Sequence, residues 1–266
     1  MKIPRPKLNA IEFAMWGALV AALAYMAGMY RTTLWLQPSL PEIAELQPLA
    51  QKYGPARNSR YGEEWILRDF FHDQRAGVFV DVGASHYQRD SNTYYLETAL
   101  GWSGLAIEPQ TTFAAEYAKH RPLTTFVPLF VSDASNRQAV LYVPPMNQIA
   151  SFDKSFAESA PNSVAQPVSV NTATLDDILA RNGIEQIDFL SIDIELHEPQ
   201  ALSGFSIDRF QPRLVAVEAH AAVRQQILDY FAKHGYVALG KYLRADTENL
   251  WFAPMGEGSR PAVARR

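Results

Sequence analysis

Between residues 78 and 253 the chain repeats one pattern: a short, nearly continuous apolar run, then an amphipathic stretch. The apolar runs fall at residues 78–82, 105–108, 125–131, 139–143, 187–192, 214–218 and 249–253. Helical spacing marks residues 63–74 (EEWILRDFFHDQ), 91–100, 111–120, 175–182, 199–202 and 222–234. A strand that is apolar on both faces must be covered on both faces. Such strands alternating with helices predict an α/β fold around a mainly parallel sheet. Ligands then bind beyond the carboxyl ends of the strands.

The first 60 residues follow another rule. Residues 13–30, FAMWGALVAALAYMAGMY, carry no charge. As a helix they reach about 27 Å, enough to cross a bilayer core. Lys2, Arg5 and Lys7 precede the run, Arg31 follows it, and Trp35 stands where an interfacial aromatic belongs. The run exceeds the apolar part of a usual signal peptide, so residues 1–31 read as an uncleaved single-pass anchor. Pro38, Pro41, Pro48 and Pro55 make residues 32–58 a stiff stem with one short helix after Ser39. Residues 59–254 are the main domain, and residues 255–266 a tail. The net charge of −4 is spread along the chain, which argues against a nucleic-acid partner. With no cysteine, disulfides, thiolate catalysis and cysteine-bound zinc are excluded.

The most informative segment is GVFVDVGASHYQRDSNTYYLE, residues 77–97. It is a strand running into a loop with one interior glycine, then a helix. A dinucleotide site needs G-x-G-x-x-G, and here Ser85 and Gln88 occupy the second and third positions. No phosphate-binding G-x-x-x-x-G-K-[ST] occurs either. S-adenosylmethionine has no phosphate, and one close backbone approach, at Gly83, can serve it. Its ribose diol needs a carboxylate at the end of the next strand, where LAIEP supplies Glu108. The third strand ends in Ser132 and Asp133, and Asp133 is placed to meet the adenine amine. Asp81 is a carboxylate inside an apolar strand and needs a partner, which marks it as a site residue. Asn92 belongs either to the methionine end of the cofactor or to a helix cap. Glu63 beside Gly62 either faces the cofactor or starts a solvated helix.

Eight short blocks occur in order: YGEEWIL, GVFVDVGA, SNTYYLE, GWSGLAIEP, VSD, TLDDIL, IDFLSIDIELHE and VAVEAH. In this order they resemble the FkbM-type methyltransferases, over about residues 59–254. The resemblance implies a Rossmann-like class I fold: a mostly parallel seven-stranded sheet with one antiparallel strand near its end. It also implies S-adenosylmethionine as cofactor and a hydroxyl as methyl acceptor, on a glycan, a lipid or a small molecule. Two positions depart from the family's pattern. Tyr87 stands where the family has a glycine near the cofactor, and Leu196 replaces the glycine of Asp-x-Glu-Gly-His-Glu.

The segment DIELHE, residues 193–198, is the densest polar cluster. In an extended backbone Asp193, Glu195 and His197 share one side. Such a set deprotonates a hydroxyl, binds a divalent metal, or caps the helix near Pro199. The reading adopted gives positioning to Asp193 and the base to Glu195 or His197, with no metal ligands assigned. Two alternatives stand beside it. Asp193-x-Glu195 resembles the metal signature of nucleotide-sugar glycosyltransferases, many of which have an anchor and stem. The domain can also have kept the cofactor but lost its chemistry through Tyr87 and Leu196. The basic excess before the anchor favours the domain outside. The cofactor, however, is made in the cytosol, and the expectation is a domain on the cytosolic side of the membrane.

Overall fold

The computed structural model describes residues 44, 46–55, 58–145 and 149–256. The expected anchor, the stem up to residue 43 and nearly all of the tail lie outside them. Among the described residues no helix is long and apolar enough to cross a membrane.

Helix α1 (Gln47–Tyr53) carries Pro48 in its first turn, where a missing N–H costs nothing. It packs on α2 (Glu63–Phe71). Leu46 is fully buried, Trp65 Nε1 donates to the Gly54 carbonyl at 2.8 Å, and Arg68 Nη1 donates to the Tyr53 carbonyl at 3.0 Å. Residues 46–54, expected within the stem, therefore belong to the folded domain. The buried Leu46 and the side-chain bonds from α2 hold this segment in spite of Pro48 and Pro55.

Next come β1 (Val78–Val82), α3 (Tyr94–Leu100), β2 (Ser103–Ile107), α4 (Ala114–His120) and β3 (Thr124–Val127). A small insertion follows: β4 (Phe130–Val131), β5 (Gln138–Val143), α5 (Lys154–Ala157) and β6 (Gln166–Ala173). The remainder is α6 (Leu175–Arg181), β7 (Phe189–Ile192), α7 (Glu198–Ser203), α8 (Ile207–Phe210), β8 (Leu214–Glu218), α9 (Arg224–Lys233), β9 (Tyr236–Ala238) and β10 (Asn249–Pro254). The main sheet has seven strands in the order β3-β2-β1-β7-β8-β10-β9, and β4-β6-β5 form a separate three-stranded sheet. Every pair in the main sheet is parallel except the two that β10 makes. This is the Rossmann-like sheet of class I methyltransferases, mostly parallel with one antiparallel strand.

Val80, Leu190, Val215 and Val217 are wholly buried, as strands covered on both faces require. The expected strand at 125–131 is two strands, because Pro128 lacks the N–H a ladder needs. Strand β6 was not expected: four of its first five residues are exposed and it has no apolar run. Strand β9 is three residues long, too short for periodicity. The chain builds β1, β2 and β3 in one direction, then returns to the other side of β1 with β7. The order reverses between β1 and β7, which is where such sheets open a crevice.

Candidate active site

The carboxyl ends of β1, β2, β7 and β8 line a cleft of about 260 Å³. Gly83 follows β1 with φ 85°, and a Cβ there would lie 1.7 Å from the Asp193 carbonyl oxygen. The loops after β1 and β7 thus touch, and only glycine fits between them.

The β1–β2 side is held by a buried hydrogen-bonded chain. Arg121 donates to Glu97, to the Tyr87 carbonyl at 2.9 Å and to Thr93 Oγ1 at 3.2 Å. Thr93 Oγ1 donates in turn to Asp81 at 2.8 Å. Burial pushes the Asp81 carboxyl up to about 6, although Thr93 and Arg121 pull it down. Glu108 accepts from the backbone N–H of Gln110 at 2.9 Å and of Ser85 at 3.2 Å. Burial raises its carboxyl in spite of both bonds. Asn92 Nδ2 donates to Ser191 Oγ at 3.3 Å, while its Oδ1 is buried without a partner in the cleft wall. Glu63 accepts from the Tyr61 N–H at 2.6 Å and also lines the cleft. Burial, then the nearby Asp246, raise its carboxyl to about 8.

The β7–β8 side is a cluster of acids. Asp193 lies open to the cleft but walled by protein. Desolvation, then Glu218, Glu195 and Glu198, raise its carboxyl well above the usual range. Glu195 is buried and is raised to about 8, by burial first and Glu218 second. His220 Nε2 lies 3.1 Å from Glu218 Oε1 and 3.3 Å from Glu195 Oε2. Its bond to Glu218 leads in raising it to about 9. Glu198 is fully buried at the start of α7, where one oxygen accepts the Ile194 N–H at 3.0 Å.

Of the residues expected to bind cofactor, the structure brings Glu63, Asp81, Gly83, Asn92 and Glu108 to one cleft, together with Asp193 and Glu195. Two expected residues are not brought there. Asp133 is exposed and accepts from its neighbour Ser132 at 3.3 Å, because β4 belongs to the small sheet rather than extending β3. His197 is not in the cleft either. Its ring packs 4.9 Å from Phe130 and 5.0 Å from Phe152, its Nε2 meets Ser132 Oγ at 3.1 Å, and burial lowers its pKa to about 4. The extended backbone expected for 193–197 is absent: Glu195 and Leu196 have φ of 56° and 78°. That turn sends His197 away from Glu195. Sequence reading also missed Glu218 and His220. The signal was present, since Glu218 ends an apolar strand just as Glu108 follows one.

The two departures from the family pattern differ in kind. Tyr87 has no left-handed φ, and its ring stacks between His86 at 4.6 Å and His120 at 4.7 Å, outside the cleft. Leu196 does sit in the left-handed region that favours glycine.

The family described as "Methyltransferase FkbM domain" matches residues 81–238, more than half of the chain. The chain belongs to the FkbM methyltransferase family. Its cofactor is S-adenosylmethionine. A search of curated proteins finds no match. Among solved structures, the 1,6-didemethyltoxoflavin-N1-methyltransferase of Burkholderia thailandensis is similar at 11% identity and TM-score 0.36, over 95% of this chain and 93% of that one. A SAM-dependent O-methyltransferase of Thermotoga maritima is similar at 12% identity and TM-score 0.40, over 85% and 74%. Scores this low add nothing to the fold argued from the strand order.

The cleft of this FkbM-family chain fits the cofactor. Asn92 Oδ1 is a buried acceptor without a partner, Glu108 keeps free lone pairs beyond its two backbone bonds, and Gly83 leaves the backbone bare. The wall is rich in carboxylates, which suits a cationic ligand with a diol. Family membership also decides against the nucleotide-sugar reading of Asp193-x-Glu195.

Proposed function

We propose that the protein methylates a hydroxyl group of a glycan, lipid or small-molecule acceptor. The observation that carries this reading is Asp193 in the lining of one cleft with Glu195, Gly83 and Glu108. An alcohol attacks well only when its proton has somewhere to go. When bound, S-adenosylmethionine supplies a methyl group on a positively charged sulfur. Glu108 would accept from the ribose and Asn92 Oδ1 from the amino-acid end, and the bare backbone at Gly83 would allow close approach. Asp193 orients the acceptor hydroxyl and takes its proton. Desolvation first, then the neighbouring carboxylates, raise its affinity for that proton. Phe130, Leu141 and Phe156 add apolar side chains to the lining of the same cleft.

The test is Asp193→Asn, scored by release of S-adenosylhomocysteine over a panel of hydroxylated acceptors. Turnover should fall 10²- to 10⁴-fold, roughly 3–5 kcal/mol in the barrier. Cofactor affinity, measured by calorimetry, should stay nearly unchanged. Equal turnover in the variant removes Asp193 from the reaction.

The reading includes a membrane anchor at residues 1–31, with the domain on the cytosolic side where its cofactor is made. The uncharged run at 13–30 and its basic flanks support it. The full chain should stay with membranes through an alkaline wash, and a chain lacking residues 1–31 should not. Retention of the shortened chain overturns the anchor.

A further inference from the structure

We propose that Glu195, Glu218 and His220 bind a divalent cation at the acceptor end of the cleft. Each offers one ligand atom, and the three atoms lie within 4.8 Å of one another. His220 Nε2 is 3.1 Å from Glu218 Oε1 and 3.3 Å from Glu195 Oε2. A cation with bonds of about 2.1 Å holds adjacent ligands about 3.0 Å apart, so the cluster needs little movement to close on one.

A protonated imidazole bonded to the two carboxylates has similar distances, but it leaves too much unanswered. Nε2 carries one hydrogen and faces two carboxylates. Glu218 is 8% exposed, and its Oε2 is buried without any hydrogen-bond partner. Asp193 stands within hydrogen-bonding reach of the same carboxylate, but two ionised carboxylates offer each other no donor. Behind them Glu198 is fully buried, and its Oε2 also lacks a partner. Burying a bare carboxylate oxygen is costly. A divalent cation takes one atom each from Glu195, Glu218 and His220 at once and supplies positive charge beside the unpartnered Glu218 oxygen.

The ligands are well placed for that task. Glu218 ends β8, His220 follows two residues later, and Glu195 sits in the turn after β7, where Ser151 Oγ donates to its carbonyl at 2.7 Å. Carboxylate oxygens with one imidazole suit Mn²⁺ and similar ions rather than thiophilic ones. The cation's use rests on the methyltransferase reading: it holds the acceptor oxygen and lowers its pKa, and the released proton passes to Asp193. The binding of the cation does not rest on that reading.

The test titrates Mn²⁺ into the chelator-treated full chain in detergent and follows the free-ion paramagnetic resonance signal. One Mn²⁺ should bind per chain. Glu218→Gln and His220→Ala should each weaken binding about tenfold or more. Glu108→Gln, in the same cleft but outside the cluster, should leave it unchanged. Thermal unfolding checks that each variant is folded, and Glu195→Gln replaces any that is not. Failure of the wild type to bind Mn²⁺, or binding indifferent to the cluster variants, overturns the proposal. S-adenosylmethionine binding is measured separately in chelator. Cofactor binding without Mn²⁺ binding defeats the cation site alone, whereas Mn²⁺ binding without cofactor binding defeats the methyltransferase reading alone.

Discussion

The ends of β1 and β2 hold their charges in hydrogen bonds. Arg121 serves Glu97, Thr93 and the Tyr87 carbonyl, Thr93 passes a bond to Asp81, and Glu108 accepts two backbone N–H groups. The ends of β7 and β8 gather Asp193, Glu195, Glu198 and Glu218 around one imidazole. Two of those carboxyls keep a buried oxygen without a partner. The turn there runs through two successive left-handed residues, Glu195 and Leu196. Most of the first side is bonded within the protein, with Asn92 Oδ1 left over for a ligand, which suits it to seat a cofactor. The second side keeps crowded acids and unpartnered carboxylate oxygens, the pattern expected where chemistry occurs.

Removing Arg121 should break the satisfied side most severely. Arg121→Met leaves Glu97 buried without its cation, and about 3–5 kcal/mol of stability should be lost in urea unfolding. A loss under about 1 kcal/mol would mean that the network adds little rigidity. Glu108→Ala acts on the same side but on the ligand. It should weaken S-adenosylmethionine by about 1–3 kcal/mol in calorimetry. Unchanged affinity in a folded variant removes Glu108 from the ribose. The smallest effect should fall on the strained side. Leu196→Gly relieves a left-handed residue and should gain about 0.5–1 kcal/mol. Tyr87→Gly should lose stability instead, because it deletes a ring stacked between two histidines. Equal effects at the two positions would erase the contrast between the departures.

Most of the sheet was legible because it is buried on both faces, so β1, β2, β7, β8 and β10 appear as apolar runs. Strand β6 was not, because most of its side chains face water and no hydrophobic period marks it. Among the cleft's lining residues, Gly83, Glu108 and Asp193 could be placed from the sequence because they lie at or just past the ends of apolar strands. His197 misled because the reading assumed an extended backbone where the chain turns left-handed. Asp133 misled because Pro128 breaks the third strand and hands its end to another sheet. His220 could be found only through Glu218, since its meaning lies in contacts between two strands that sequence spacing does not record.

The small sheet β4-β6-β5 has a consequence for how such a protein diversifies. Phe130, Leu141, Ile149 and Phe156 line the cleft, and all come from one uninterrupted stretch of chain between β3 and α6. The residues proposed to seat the cofactor lie before it, and Asp193, Glu195, Glu218 and His220 lie after it. Under the proposed function, replacing this one stretch as a piece should change the choice of acceptor and leave cofactor affinity unaltered.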